Sequence, residues 1–118
     1  MRQGLIVDSY GNRRWYVNDR LHRTDGPAFV GANGTQAWCL NGKNHREDGP
    51  AVIYADGDQE WYYEDRLHRE DGPAYIAADG YYSWYLKGIR LSFDKYLEKA
   101  FPKDSPQRTL FVLKWGGK

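Results

Sequence analysis

The stretch WCLNGKNHREDGPAVIYADGDQE, residues 38–60, decides the fold, because it recurs on both sides of itself. Residues 61–83 read WYYEDRLHREDGPAYIAADGYYS, and residues 15–37 read WYVNDRLHRTDGPAFVGANGTQA. Trp15, Trp38, Trp61 and Trp84 therefore stand 23 residues apart. A fixed period of this size marks a repeat architecture, in which each unit is one supersecondary element stacked on the next.

Each repeat carries two strand signals. One runs through the tryptophan, at residues 14–17, 37–40, 60–63 and 83–86. The other follows the proline, at 28–31, 51–54 and 74–77. Both are rich in aromatic or β-branched residues and bounded by Gly, Asn or Asp. Asn33-Gly34, Asp56-Gly57 and Asp79-Gly80 join the second strand to the next tryptophan strand. These pairs favour the type I′ hairpin turn. The other link, LHRTDGP or LHREDGP, is longer, and its proline suits the start of a strand. The expected fold is mainly β: an elongated, twisted antiparallel array with one hairpin per 23 residues. A parallel β-solenoid is the rival, disfavoured by the hairpin turns.

Alternation along the strands places Trp15 with Val17, Trp38 with Leu40, Trp61 with Tyr63 and Trp84 with Leu86 on one face. Ala28 with Val30, Ala51 with Ile53 and Ala74 with Ile76 are expected to share it, large indole beside small alanine, as the core. The second face takes Tyr16, Phe29, Cys39, Val52, Tyr54, Tyr62, Tyr75 and Tyr85. A contiguous aromatic patch of this kind marks an interaction surface if it is exposed. Coverage by curvature or by the C-terminal helices is the competing reading.

The array is bounded at both ends. Residues 1–14 form a half repeat, with Leu5-Ile6-Val7 over Ala51-Val52-Ile53 and Gly11 over Gly57. Repeats follow at 15–37, 38–60 and 61–83, with a partial one at 84–91. Beyond it, residues 92–118 read as a helical cap. Ser92 caps a helix over 93–100 with an apolar stripe of Phe93, Tyr96, Leu97, Ala100 and Phe101. Pro102 stops it. Ser105-Pro106 starts a second helix that ends at Gly116-Gly117.

At 118 residues the chain is expected to be one domain. Its single cysteine, Cys39, permits no internal disulfide and suits a reducing compartment. The apolar run at residues 5–7 is too short for a signal peptide or a membrane span. Solubility and a cytoplasmic location are expected. Net charge is +1, but unevenly spread. The repeats at 38–60 and 61–83 carry −3 each, and residues 84–118 carry +5. The acidic middle disfavours nucleic acid. The basic C-terminal residues Lys95, Lys99, Lys103, Arg108, Lys114 and Lys118 read as the solvent face of the helices.

His22, His45 and His68 recur with Asp25, Asp48 and Asp71 three residues on. Two strands per repeat separate equivalent residues by about 10 Å, too far for the histidines to converge on one metal ion. No metal and no cofactor is expected. The motif is expected to be structural, with the aspartate accepting backbone N–H groups in its loop. The histidine would donate to that aspartate or to a carbonyl, and Arg23, Arg46 and Arg69 would pair with a neighbouring repeat's acid. No nucleophile is placed for a histidine base, and three copies of one motif speak for scaffolding.

The units NGKNHREDGPAVIYADG and DRLHREDGPAYIAADG resemble variant MORN-type repeats, many of them in bacteriophage and large DNA virus proteins. The resemblance spans about residues 4–91. It implies an elongated hairpin array used for binding; related MORN proteins are linked to protein interaction and to lipids. The C-terminal helices resemble a tail common in the viral versions. The expected function is a non-enzymatic, phage-encoded protein-interaction module that inhibits a host or defence protein by occlusion. The expected binding residues are Tyr16, Phe29, Tyr54, Tyr62, Tyr75 and Tyr85. The alternative is sequestration of a nucleotide or small ligand by the aromatic face and the repeat arginines.

Overall fold

The computed structural model describes residues 1–116. Gly117, expected at the helix end, and Lys118, expected in the basic cluster, lie outside them. Along the chain come β1 (Gly4–Val7), β2 (Arg13–Val17), β3 (Arg20–Leu21), β4 (Phe29–Val30), β5 (Gln36–Ala37), β6 (Cys39–Leu40) and β7 (Lys43–Asn44). They are followed by β8 (Val52–Ile53), β9 (Gln59–Glu60), β10 (Tyr62–Tyr63), β11 (Arg66–Leu67), β12 (Tyr75–Ile76), β13 (Tyr82–Leu86) and β14 (Ile89–Leu91). Helices α1 (Phe93–Ala100) and α2 (Pro106–Trp115) close the chain. The main sheet runs β1-β2-β4-β5-β8-β9-β12-β13-β14, with β3 beside β2, and every pairing is antiparallel. The solenoid rival is thereby excluded.

The repeat differs from expectation in its strands: it contains two hairpins. The tryptophan strand breaks at its indole. Trp38 N–H donates to Ala51 C=O in the main sheet (2.7 Å), and Trp38 C=O accepts from His45 N–H (3.0 Å). The chain thus passes from β5 in the main sheet to β6, which pairs with β7 in a satellite hairpin. Trp61 repeats this with Ala74 and His68, and β10 pairs with β11. The satellites stack through bonds such as Gly42 N–H to Leu21 C=O and Asp65 N–H to Asn44 C=O, both 2.8 Å.

The type I′ turns lie in these satellites. Asn18-Asp19, Asn41-Gly42, Glu64-Asp65 and Lys87-Gly88 all have positive φ at both positions, the signature of that turn. In the main-sheet turns only Gly11, Gly34, Gly57 and Gly80 lie in the left-handed region. There the bonds Gly34 N–H to Gly31 C=O and Gly31 N–H to Thr35 C=O close a three-residue loop instead. The preceding Asn33, Asp56 and Asp79 each accept the N–H two residues on, at 3.0 Å. The wrong turn type was expected because an Asx-Gly pair suits both loops.

The register aligns Trp15, Ala28, Trp38, Ala51, Trp61, Ala74 and Trp84 in one row across one face, as expected. Ala28, Ala51 and Ala74 are fully buried. Trp15, Trp38 and Trp61 are half-buried, whereas Trp84 is 7% exposed. The difference comes from the helices. They pack against Trp84, with Tyr96, Leu97 and Phe111 as the centre of the only extended apolar cluster among the described residues. Their starts follow the sequence: Ser92 Oγ accepts Lys95 N–H (3.2 Å) and Ser105 Oγ accepts Arg108 N–H (3.1 Å). The fully buried Tyr96 hydroxyl donates to Arg69 C=O (2.6 Å) and accepts from Gly72 N–H (3.3 Å), pinning α1 to the last repeat loop. In α2 only Phe111 is buried, and Leu110 and Leu113 stay exposed.

The molecule measures 52 × 28 × 21 Å. Its radius of gyration is 16.5 Å, against about 13.5 Å for a compact chain of this length. No described helix is long and apolar enough to cross a membrane.

Candidate functional site

The repeated motif is wired differently from its expected role. His22 Nδ1 accepts the backbone N–H of Asn41 (3.0 Å), His45 Nδ1 that of Glu64 (3.1 Å) and His68 Nδ1 that of Lys87 (2.9 Å). Each acceptor reaches the satellite turn of the next repeat. The histidine therefore neither donates to its aspartate nor to a carbonyl; it latches one repeat to the next. An accepting Nδ1 requires a neutral ring with its proton on Nε2. Glu64 Oε2 also lies 3.6 Å from His45 Nδ1, but the closer backbone N–H takes the lone pair.

The aspartates bind arginine rather than the loop N–H groups. Arg23, Arg46 and Arg69 donate from Nε to Asp25, Asp48 and Asp71 Oδ1 at 2.9–3.0 Å, each within its own repeat. The same guanidiniums donate to Pro27, Pro50 and Pro73 C=O at 3.1–3.2 Å. They lie 3.9–4.0 Å over the rings of Trp15, Trp38 and Trp61. The expected pairing with a neighbouring repeat's acid is replaced by this stack, because a planar guanidinium satisfies ring, carbonyl and carboxylate at once. Among the described residues, no three His, Cys, Asp or Glu side chains converge as metal ligands.

On the second face the six expected residues separate into groups. Tyr16 is 9% exposed, roofed by the Arg2 guanidinium at 4.3 Å, with Arg2 Nη1 donating to its hydroxyl (3.0 Å). It is core, not surface. Phe29 is half-buried beside Arg14, whose guanidinium sits 5.0 Å from its ring. Tyr85 is half-buried in β13. Tyr54, Tyr62 and Tyr75 gather around Glu60: register places Tyr75 opposite Glu60. The Tyr54 and Tyr62 hydroxyls donate to Glu60 Oε1 at 2.8 and 3.3 Å. Glu60 was missing from the expected set, though its place two residues before Tyr62 puts it on that face.

Burial, followed by the Glu60 carboxylate, pushes the Tyr54 and Tyr62 hydroxyls up to about 12. Burial and the carboxylates of Asp58 and Glu60 raise Tyr75 as well. The helices do not cover this cluster, because they lie against the tryptophan face. Tyr54 remains 41% exposed. Cys39, on the same face, is buried, and burial with the Asp65 carboxylate pushes its thiol up to about 11.

The tryptophan face holds a feature that sequence reading missed. Between the loops of successive repeats lie two grooves, of about 770 Å³ over Trp38 and about 810 Å³ over Trp61. Alternation along the strands gives the faces but not the spaces between loops, so nothing in the pattern revealed them. No family model matches this chain, and no curated protein resembles it closely enough to count as a relative.

Proposed function

We propose that the chain is a non-enzymatic protein-interaction module that acts by occlusion, binding a partner through Tyr54, Tyr62 and Tyr75 around Glu60. The observation that carries this reading is the placement of the helices. They close the tryptophan face at Trp84 and leave the tyrosine cluster open. Tyrosines supply large contact area at low entropic cost, and they are enriched at binding interfaces. The scaffold role of the motif supports the non-enzymatic part, since each histidine lone pair and each repeat arginine is already engaged. The MORN-type resemblance and a phage origin belong to the same proposal.

The nucleotide-sequestering alternative needs free arginines beside the tyrosines. Arg23, Arg46 and Arg69 lie instead over the tryptophans. A pull-down from bacterial lysate in high salt tests the proposal. The wild type should retain a protein that Tyr54→Ala/Tyr75→Ala loses while its fold is intact by circular dichroism. Equal retention by both would remove the tyrosine cluster from the interface. A thermal shift of the wild type with nucleotides would favour the alternative.

A further inference from the structure

The two grooves on the tryptophan face share Arg46, Glu47 and Asp48 as a common wall, so they form one trough along the array. Its floor is Trp38, Leu40 and His45 in one repeat and Trp61, Tyr63 and His68 in the next. The repeat arginines are turned down onto the indoles and are 16–27% exposed. The carboxylates of Asp25, Asp48 and Asp71 stand up at 82–86% exposure, and Glu47 and Glu70 at 75% and 81%. The groove over Trp61 sets two arginines against four carboxylates, and the one over Trp38 sets two against three.

A second observation concerns His45, whose side chain is only 10% exposed. Its Nδ1 holds the Glu64 N–H, so its Nε2 carries the proton. His45 lines the groove, and that donor has no acceptor in hydrogen-bond range among the described residues; Glu47 Oε1, on a residue of the same groove, is 3.8 Å away. The occupant must therefore bring both cations for the rim and a neutral acceptor for the floor. An extended peptide does so, with basic side chains and backbone carbonyls. The repeat step of about 10 Å equals three residues of extended chain at about 3.3 Å each.

We infer that this trough binds an extended segment of a partner protein carrying Arg or Lys at every third position. Its carbonyl accepts from His45 Nε2–H, its basic groups meet the carboxylates beside Glu47 and Glu70, and its aliphatic stems lie on Leu40 and Tyr63. The surface is separate from the tyrosine cluster, so either can fail without the other.

Fluorescence anisotropy with the full chain tests it, using labelled synthetic peptides of identical composition. One has arginine at every third position, and its isomer has the arginines clustered. The spaced peptide should bind at least about tenfold more tightly, and Glu47→Lys/Glu70→Lys should weaken it by about tenfold or more while its fold stays intact by circular dichroism. Tyr54→Ala/Tyr75→Ala should leave it unaltered. Equal binding of the two peptides, undiminished binding by the lysine variant, or loss of binding in the tyrosine variant would each overturn the inference.

Discussion

At the scale of single residues, the four tryptophans share a register but not an environment. Trp84 touches Tyr82, Phe93, Tyr96, Phe111 and Trp115, with ring centroids 4.8–5.7 Å apart. Trp84→Ala should therefore cost about 3–5 kcal/mol, measured by urea denaturation. Trp61→Ala removes a half-buried ring and should cost clearly less. Equal losses would mean that the helices add nothing to the Trp84 site. The histidines have a sharper signature. Nitrogen-15 spectra should show the neutral rings of all three as the tautomer with the proton on Nε2 and Nδ1 bare, and His45→Ala should cost about 1–2 kcal/mol. A protonated Nδ1 would contradict the latch. The tyrosines give the pH dependence. Their hydroxyls stay neutral in the fold up to about 12, whereas an unfolded tyrosine ionises near 10. Their contribution is complete below about pH 10 and is lost as pH rises toward 12. Absorbance titration should show three tyrosines, Tyr54, Tyr62 and the buried Tyr96, resisting ionisation to about pH 12, and Glu60→Gln should lower Tyr54 and Tyr62.

At the scale of elements, the hairpin alternation, the shared row of indole and alanine, and both helix starts were legible in the sequence. Period, strand alternation and the two Ser caps are local signals, and local signals survive folding. The second hairpin was not legible, although Asn41-Gly42 carries the same Asn-Gly turn signal as Asn33-Gly34. Its strands are two residues long, too short for alternation to register. The histidine's partner was illegible for another reason: it is a backbone N–H 19 residues away, which no side-chain pattern encodes. The trough was hidden likewise, since it exists only between stacked loops. The tyrosine face was half legible, because alternation names Tyr16 but cannot foresee that Arg2 covers it. The satellite turns also yield a prediction. Lys87 sits at φ 52° before Gly88, a conformation asparagine tolerates better than lysine. Lys87→Asn should raise stability by about 0.5–1 kcal/mol, read from the denaturation midpoint. No change would mean that the left-handed turn carries no strain.

At the scale of the molecule, the repeat is a joint used again and again. Each unit contributes a main-sheet hairpin, a satellite hairpin, an arginine stacked on its own indole and a histidine reaching into the next unit. Additional bonds cross at the outer turns, where Thr35 Oγ1 accepts from Ala55 N–H (3.1 Å) and Asp58 Oδ1 from Ala78 N–H (2.7 Å). Every such contact joins neighbours only, so stability is a sum over units and their junctions. The central claim is that the 23-residue motif is this modular joint. Deleting residues 38–60 tests it most directly, because Ala37 then meets Trp61 in the original register and His22 can take the Glu64 N–H. Small-angle scattering and thermal melting of that variant should show a folded, cooperatively melting protein whose long dimension is shorter by about 10 Å. An unfolded chain, or one that keeps its full 52 Å length, would contradict the account.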